Sequence, residues 1–259
     1  MIKFLVDNPF GYLLQNPAPV NFGDIFSGFN NNLKIIYVIG CPRSGTTMLG
    51  KALGHASNAV WTEESLFQIS LWQIFWDIHQ GNNKKNFAPL QQYLTSIEML
   101  ELLGKFSSSI YNKISTNNKS KVIVEHTPWY GALVPYLATL FPKSRFVHIV
   151  RKKADVLFSL EQSYKKGYKW AGENVESRRY LYNRMIKLSR MGGLSLNNPQ
   201  RFIEVSYEEI CRKPYETLLD LCNFFSLGLN GEMLEALSIP HASPSRKNFV
   251  PAMTERSLL

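Results

Sequence analysis

The sequence predicts an α/β fold: one domain with a mostly parallel central sheet, flanked by helices and carrying a P-loop type turn. Three observations predict it. Short β-branched runs alternate with helical patterns, the order from which parallel sheets are built. The first run, KIIYVI at 34–39, leads into a turn bracketed by Gly40 and Gly45 and then into a helical pattern. The chain is 45% hydrophobic and 19% charged, against a usual charged share of about 25%. That balance excludes a disordered chain, which cannot bury enough apolar surface to offset its ordering entropy.

Each element follows from its residues. Residues 34–39 are short, apolar and β-branched, as a buried strand is. Residues 46–54 read as a helix closed by Gly54. Residues 65–78 read as a helix capped by Ser65, with Leu66, Ile69, Ile74 and Ile78 as apolar positions. Residues 90–109 are also helical in pattern. Residues 121–124 are a second strand, and 131–141 a helix that stops before Pro142. Residues 145–150, RFVHIV, are a third strand, followed by a helix over 154–165 and a longer one over 174–190. Residues 202–205 are a fourth strand. Residues 214–225 are a helix with Pro214 in its first turn, where a missing N–H costs nothing. Its Tyr215, Leu218, Cys222 and Phe225 fall on one face. Polar stretches at 30–32, 81–86 and 116–120 read as surface loops. Ligands of such folds bind beyond the carboxyl ends of the strands. The chemistry therefore belongs just after Ile39, Val124, Val150 and Val205.

A chain of 259 residues fits one domain that buries about three quarters of its unfolded surface. It needs no disulfide or structural metal to fold. Cys41, Cys211 and Cys222 are odd in number and show no C-x-x-C spacing, which suits a reducing compartment. The start, MIKFLVDNPFGYLL, is a poor secretory signal because Asp7, Asn8 and Pro9 break its apolar run. No run approaches the roughly 18 apolar residues of a membrane span. A cytoplasmic protein is expected. The net charge of +9 favours anionic ligands. The basic residues lie in small scattered groups without a zinc-finger or RNP-like pattern, so nucleic acid is not an expected partner. Nothing in the sequence sets an oligomeric state.

The segment Gly40-Cys41-Pro42-Arg43-Ser44-Gly45-Thr46-Thr47 keeps the two glycines of G-x-x-x-x-G-K-[ST] and has Thr46 where that motif has Lys. The glycines let the backbone curl round a phosphate. The N–H groups at the following helix start attract the anion, helped by the helix dipole. The positive charge is displaced to Arg43, inside the loop. A Mg-nucleotide enzyme needs the lysine and an acidic metal ligand after a neighbouring strand. Here the second strand ends in Glu125-His126 and the third in Arg151-Lys152-Lys153. A cationic strand end points to a donor with phosphate at both ends. A P-loop kinase of small metabolites and a non-catalytic anion or polynucleotide binder remain the alternatives.

Cys41-Pro42-Arg43-Ser44-Gly45-Thr46-Thr47 resembles the 5′-phosphosulfate loop, P-[RK]-S-G-T-[ST], of sulfotransferases that use 3′-phosphoadenylyl sulfate (PAPS). The resemblance spans about residues 34–248, with 1–33 as an N-terminal extension. It implies PAPS as donor, adenosine 3′,5′-bisphosphate (PAP) as product and no metal. The sulfuryl group would pass by in-line displacement to a hydroxyl or amine of a small-molecule acceptor. Arg43, Ser44, Gly45, Thr46 and Thr47 would hold the 5′ side. Arg151, with Ser159 eight residues on, resembles the family's grip on the 3′-phosphate. Tyr207, in Tyr207-Glu208-Glu209-Ile210, resembles its Y-E-[DEQ]-L segment near the nucleotide. Arg246-Lys247-Asn248 resembles its Arg-Lys-Gly closure, with Asn in place of Gly. The Arg form of the loop is nearer to the tyrosylprotein, carbohydrate and bacterial members than to the phenol and steroid ones.

Such a transfer needs a base for the acceptor and a cation at the leaving oxygen. Arg43 meets the second need, since a guanidinium is always charged and forks onto phosphate oxygens. Preorganised donors at a developing charge contribute about 10²–10³ in rate. For the base there are two candidates. Glu64 lies in Trp61-Thr62-Glu63-Glu64-Ser65 and resembles the E-E-[TS] segment of the tyrosylprotein enzymes. Burial beside a like charge raises a carboxylate's pKa toward a useful range. His126, in Glu125-His126-Thr127-Pro128, resembles the T-H-x-P of cytosolic members, and a neutral histidine near pH 7 is an apt base. Glu64 is preferred, with His126 as base or as positioner of the acceptor. Phe67, Trp72, Phe75, Trp76, Trp129 and Tyr130 either wall an acceptor pocket or form core, the commoner fate of such residues.

Overall fold

The computed structural model describes residues 10–25, 32–79 and 92–238. Arg246 and Lys247 lie outside the described residues, as do 81–86 with its Lys84-Lys85 pair. Five strands form the sheet: β1 Lys34–Gly40, β2 Ala59–Thr62, β3 Val122–Glu125, β4 Arg145–Val150 and β5 Phe202–Ser206. Their order is β2-β3-β1-β4-β5, and every neighbouring pair is parallel. Parallel neighbours need crossovers on the sheet faces, which the intervening helices supply.

Four strands lie within a residue of their expected bounds. The fifth, β2, has no counterpart in the sequence reading. Its four residues, AVWT, are all half-buried and show no alternation. It exists because it can zip onto β3 in register, from Ala59 opposite Val122 to Thr62 opposite Glu125.

The helices in chain order are α1 Gly11–Gln15, α2 Phe22–Ile25, α3 Thr46–Gly54, α4 Phe67–His79, α5 Ser96–Asn118 and α6 Val134–Leu140. There follow α7 Lys153–Lys165, α8 Val175–Ser195, α9 Tyr207–Arg212, α10 Pro214–Phe225 and α11 Gly231–Ser238. Several differ from expectation for identifiable reasons. Ser65 does not cap α4: Leu66 turns left-handed (φ 55°), and the Ser65 hydroxyl donates to the Glu125 carboxylate instead. The buried face of α4 runs through Gln68, Leu71, Trp72 and Phe75, while Ile74 is exposed. α5 begins at a capping box, in which Thr95 and Glu98 bond each other's backbone N–H. It continues through 116–118, expected as loop, and stops where Lys119 turns left-handed (φ 53°). A 3₁₀ turn over Pro128–Ala132 precedes α6, so the expected 131–141 helix is shorter. α8 is capped by the Asn174 side chain and runs beyond Arg190. In α10 Leu218, Cys222 and Phe225 are buried, but Tyr215 is exposed.

The alternation of side chains along each strand divides the interior in two. Ile35, Tyr37, Ile39, Ile123 and Phe146 pack with α1, α2 and α4 to α8 on one face. Ile36, Val38, Val122, Val124, Val147 and Ile149 pack with α3, α10 and α11 on the other. Trp72, Phe75, Trp129 and Tyr130 are buried in the first core, with Phe67 and Trp76 packed against it. Because all five strands are parallel, the segments after β1 to β5 emerge at one edge of the sheet. That edge carries Arg43, Glu64, His126, Arg151 and Tyr207.

Candidate active site

The loop after β1 is shaped by backbone handedness. Arg43 (φ 76°) and Gly45 (φ 104°) are both left-handed. Alternating handedness turns successive N–H groups inward to make an anion-binding concavity, and the first N–H groups of α3 open onto the same place. A Cβ on Gly45 would stand 2.6 Å from the Tyr207 ring, so no other residue fits there without a shift. Ser44 and Thr46 are buried. The Ser44 Oγ is buried with no hydrogen-bond partner.

The cations converge on this loop. Arg43 Nε donates to Ser159 Oγ at 3.0 Å, across 116 residues of sequence. Ser159 is buried, two turns into α7. Arg151 Nη1 donates to the Arg43 carbonyl at 3.4 Å, and its guanidinium lies 4.4 Å from the centre of the Tyr207 ring. The Arg151 Nε is buried without a partner. Tyr182 Oη donates to the Arg151 carbonyl at 3.0 Å. Lys152 N donates to Glu208 Oε1 at 2.9 Å and ties the end of β4 to the start of α9. Arg43, Ser159, Arg151, Tyr207 and Gly45 therefore form one connected group. Tyr182 belongs to it, and no motif in the sequence had marked it.

Glu64 joins this group through its charge. Solvent reaches its side chain, yet the surrounding protein is dense enough for desolvation to push its carboxyl up to about 7. The Arg43 guanidinium pulls in the opposite direction and Glu63 adds to the rise. His126 sits apart on the α3 side of the sheet. It is buried, its ring is 5.5 Å from that of Trp61, and a Cβ on Gly50 would strike it. Burial lowers its pKa, with Glu63 and the Thr62 backbone opposing and Lys51 assisting. The histidine is neutral near pH 7, and its Nδ1 has no partner.

Glu125 points the other way from His126, as strand neighbours do. It is fully buried and accepts from the hydroxyls of Ser65 and Tyr111. Sequence reasoning had noted it only as a strand end. Its partners come from three separate segments, and no local pattern announces them. Among the described residues, no cluster of three or more His, Cys, Asp or Glu could hold a metal ion, and no helix is long and apolar enough to cross a membrane.

The sulfotransferase family matches residues 36–230 of the chain. A Caenorhabditis briggsae protein named "Putative protein-tyrosine sulfotransferase" is 25% identical over 211 residues, which cover 79% of this chain and 70% of that protein. The solved sulfotransferase domain from the curacin biosynthetic pathway superposes with a TM-score of 0.57 at 22% identity, over 80% of this chain and 78% of its own. The sulfotransferase domain of the Synechococcus PCC 7002 olefin synthase gives 0.53 at 20% identity, over 83% and 80%. Both structures share the fold described above.

Proposed function

The chain belongs to the sulfotransferase family, and from that premise we propose that it moves the sulfuryl group of PAPS to a hydroxyl or amine of a small-molecule acceptor, releasing PAP. The observation that carries the proposal is the position of Arg43. It bonds Ser159, accepts from Arg151 and acts on Glu64. One residue thus links the loop, through its carbonyl, to Arg151 and, through its guanidinium, to Ser159 and a carboxylate suited to act as a base.

The residues present suit a donor with phosphate at both ends. Ser44 Oγ and Arg151 Nε are buried donors with unmet hydrogen-bonding capacity, and an anion is what such donors bind best. Ser44, Gly45, Thr46 and Thr47 would hold the 5′ side through backbone N–H groups and hydroxyls. Arg151 and Ser159 would hold the 3′-phosphate, with Tyr207 packed against Arg151. When bound, PAPS supplies an electrophilic sulfur and a nucleotide leaving group. Glu64 would take the proton of the acceptor hydroxyl or amine. Arg43 would supply positive charge where the leaving group gains negative charge. A pKa of about 7 suits a base working near neutrality, where ionised fraction and proton affinity are both substantial. His126, buried just after β3, would position the acceptor or serve as the alternative base. A single sulfotransferase domain over residues 1–259, with 34–248 as its core and 1–33 as an N-terminal extension, and a cytoplasmic setting complete the reading.

The test is a calorimetric titration with PAP, run beside 5′-AMP and ATP with Mg²⁺. Hydrogen bonds to charged groups contribute about 1.5–3 kcal/mol each, so PAP should bind roughly 10- to 100-fold more tightly than 5′-AMP. Equal or tighter binding of ATP with Mg²⁺ would overturn the proposal in favour of a kinase.

A further inference from the structure

We propose that Glu125 is the positioning residue for Glu64, holding that carboxylate at the site through Ser65 and the end of β2. The inference rests on the reading of Glu64 as base, but its geometry is separate from the chemistry.

Glu125 ends β3 and is tied to both ends of the segment that carries Glu64. Thr62, the last residue of β2, is its register partner across the sheet. Ser65 donates its hydroxyl to Glu125 Oε1. Glu63 and Glu64 are therefore the two residues of a strap held at one end by strand pairing with Glu125 and at the other by its carboxylate. The carboxylate is itself held from several directions. Tyr111 donates to Oε2, and Thr127 Oγ1 lies 3.4 Å from Oε1. Tyr130 also bonds the carboxylate. The Tyr130 hydroxyl is 3.2 Å from Ser65 Oγ and accepts from Gln68 N at 3.3 Å. Tyr37 braces Tyr111 from behind, hydroxyl to hydroxyl at 3.4 Å.

Two features argue that this hub does more than fill space. The groups bonded to Glu125 are hydroxyls, and burial raises its pKa despite them. A buried carboxyl without a cation costs free energy that a well-packed apolar side chain would not. Leu66, which follows the Ser65 anchor, is left-handed, and such backbone persists only where its surroundings hold it. The hydrogen bonds of Ser65 and Gln68 stand on either side of it. Releasing Ser65 lets Leu66 relax, and the strap then carries Glu64 away from Arg43 into fuller contact with water; the lost desolvation outweighs the lost Arg43 attraction, being the larger of the two effects.

The experiment is a carboxyl-carbon NMR titration of Glu64, assigned by the signal lost in Glu64→Gln. It compares the wild-type chain with Ser65→Ala, Ser65→Thr and Glu125→Gln. The wild-type midpoint is expected near 7. In Ser65→Ala and Glu125→Gln it should fall by at least about one unit toward the ordinary glutamate value, while Ser65→Thr keeps the hydroxyl and the high midpoint. An unchanged midpoint in Ser65→Ala overturns the proposal, as does a wild-type midpoint at the ordinary value. Should Glu125→Gln fail to fold, Ser65→Ala decides alone. PAP binding by the same samples separates the two readings. Wild-type protein that ignores PAP defeats the proposed function and leaves the titration to judge the strap. Loss of PAP binding in Ser65→Ala, with wild type binding, shows a general collapse and defeats the strap.

Discussion

Replacing Arg151 with alanine separates the two ends of the nucleotide. Within the protein, the described contacts of its guanidinium are a long bond to the Arg43 carbonyl at 3.4 Å and a stack 4.4 Å above the Tyr207 ring. A cation–π contact of this kind contributes about 0.5–2 kcal/mol, small beside a domain stability of roughly 5–15 kcal/mol. Arg151→Ala should therefore fold. Its effect on binding is larger. One lost hydrogen bond to a charged group costs about 1.5–3 kcal/mol, which is roughly 10- to 100-fold in affinity. The loss should fall on PAP and spare 5′-AMP, because AMP lacks the 3′-phosphate that the proposed function assigns to Arg151. Arg151→Lys should lie between, keeping the charge but losing the fork and the stack. Calorimetric titrations of wild type and both variants with each ligand at one fixed ionic strength measure the six affinities, since salt screens such contacts. Equal weakening of AMP and PAP would refute the reasoning, for it would mean that Arg151 supplies only a general positive field.

The remaining predictions concern the base, the loop and stability. Sulfuryl transfer from PAPS, followed as PAP release, should rise about tenfold from pH 6 to pH 8 if a base with pKa near 7 must be ionised. Glu64→Gln should flatten that profile and lower kcat by about 10²–10⁴, with PAP affinity nearly intact; the same result from His126→Ala in its place would move the base to His126. Gly45→Ala should lose PAP binding and melt earlier, since it strains a left-handed residue and drives a methyl to 2.6 Å from the Tyr207 ring; a melting curve identical to wild type would count against the loop geometry. Glu204 is held down to about 2 by hydrogen bonds from Arg190 and His148. A depressed carboxylate stabilises the fold above its unfolded pKa and loses that contribution as pH falls through the folded one. Thermal melts of wild type and Glu204→Gln should differ at pH 6 and converge between about 4.5 and about 2.

The sequence is most readable where signals are local. KIIYVI, the two glycines and Gly54 placed β1, the loop and α3 to within a residue. Proline and the β-branched runs did the same for β4 and α10. Reading failed where a distant partner overrides a local preference. Ser65 has the chemistry of a helix cap, but Glu125, 60 residues away, takes its hydroxyl. Ile74 fits an apolar period, but Trp72 and Phe75 claim the core and leave it exposed. β2 is too short to announce itself and becomes a strand only beside β3. The aromatics after Ser65 admitted both pocket and core, and packing put Trp72 and Phe75 in the core.

The candidate site divides along the same line. Residue order alone determined that a phosphate-type loop with Arg43 follows the first strand and that His126, Arg151 and Tyr207 follow others; that Glu64 also follows a strand was decided by the pairing of β2 with β3. Dihedral preferences and side-chain periodicity act over a few residues, so they can be read from a string. Which of those residues meet was decided by the parallel pairing of all five strands, which brings their ends to one edge. That Glu64 is pushed up to about 7, that Arg43 reaches Ser159, and that His126 and Glu125 face opposite cores are through-space facts. Desolvation and hydrogen bonding depend on neighbours that the chain separates by tens of residues, and only the folded structure sets those neighbours.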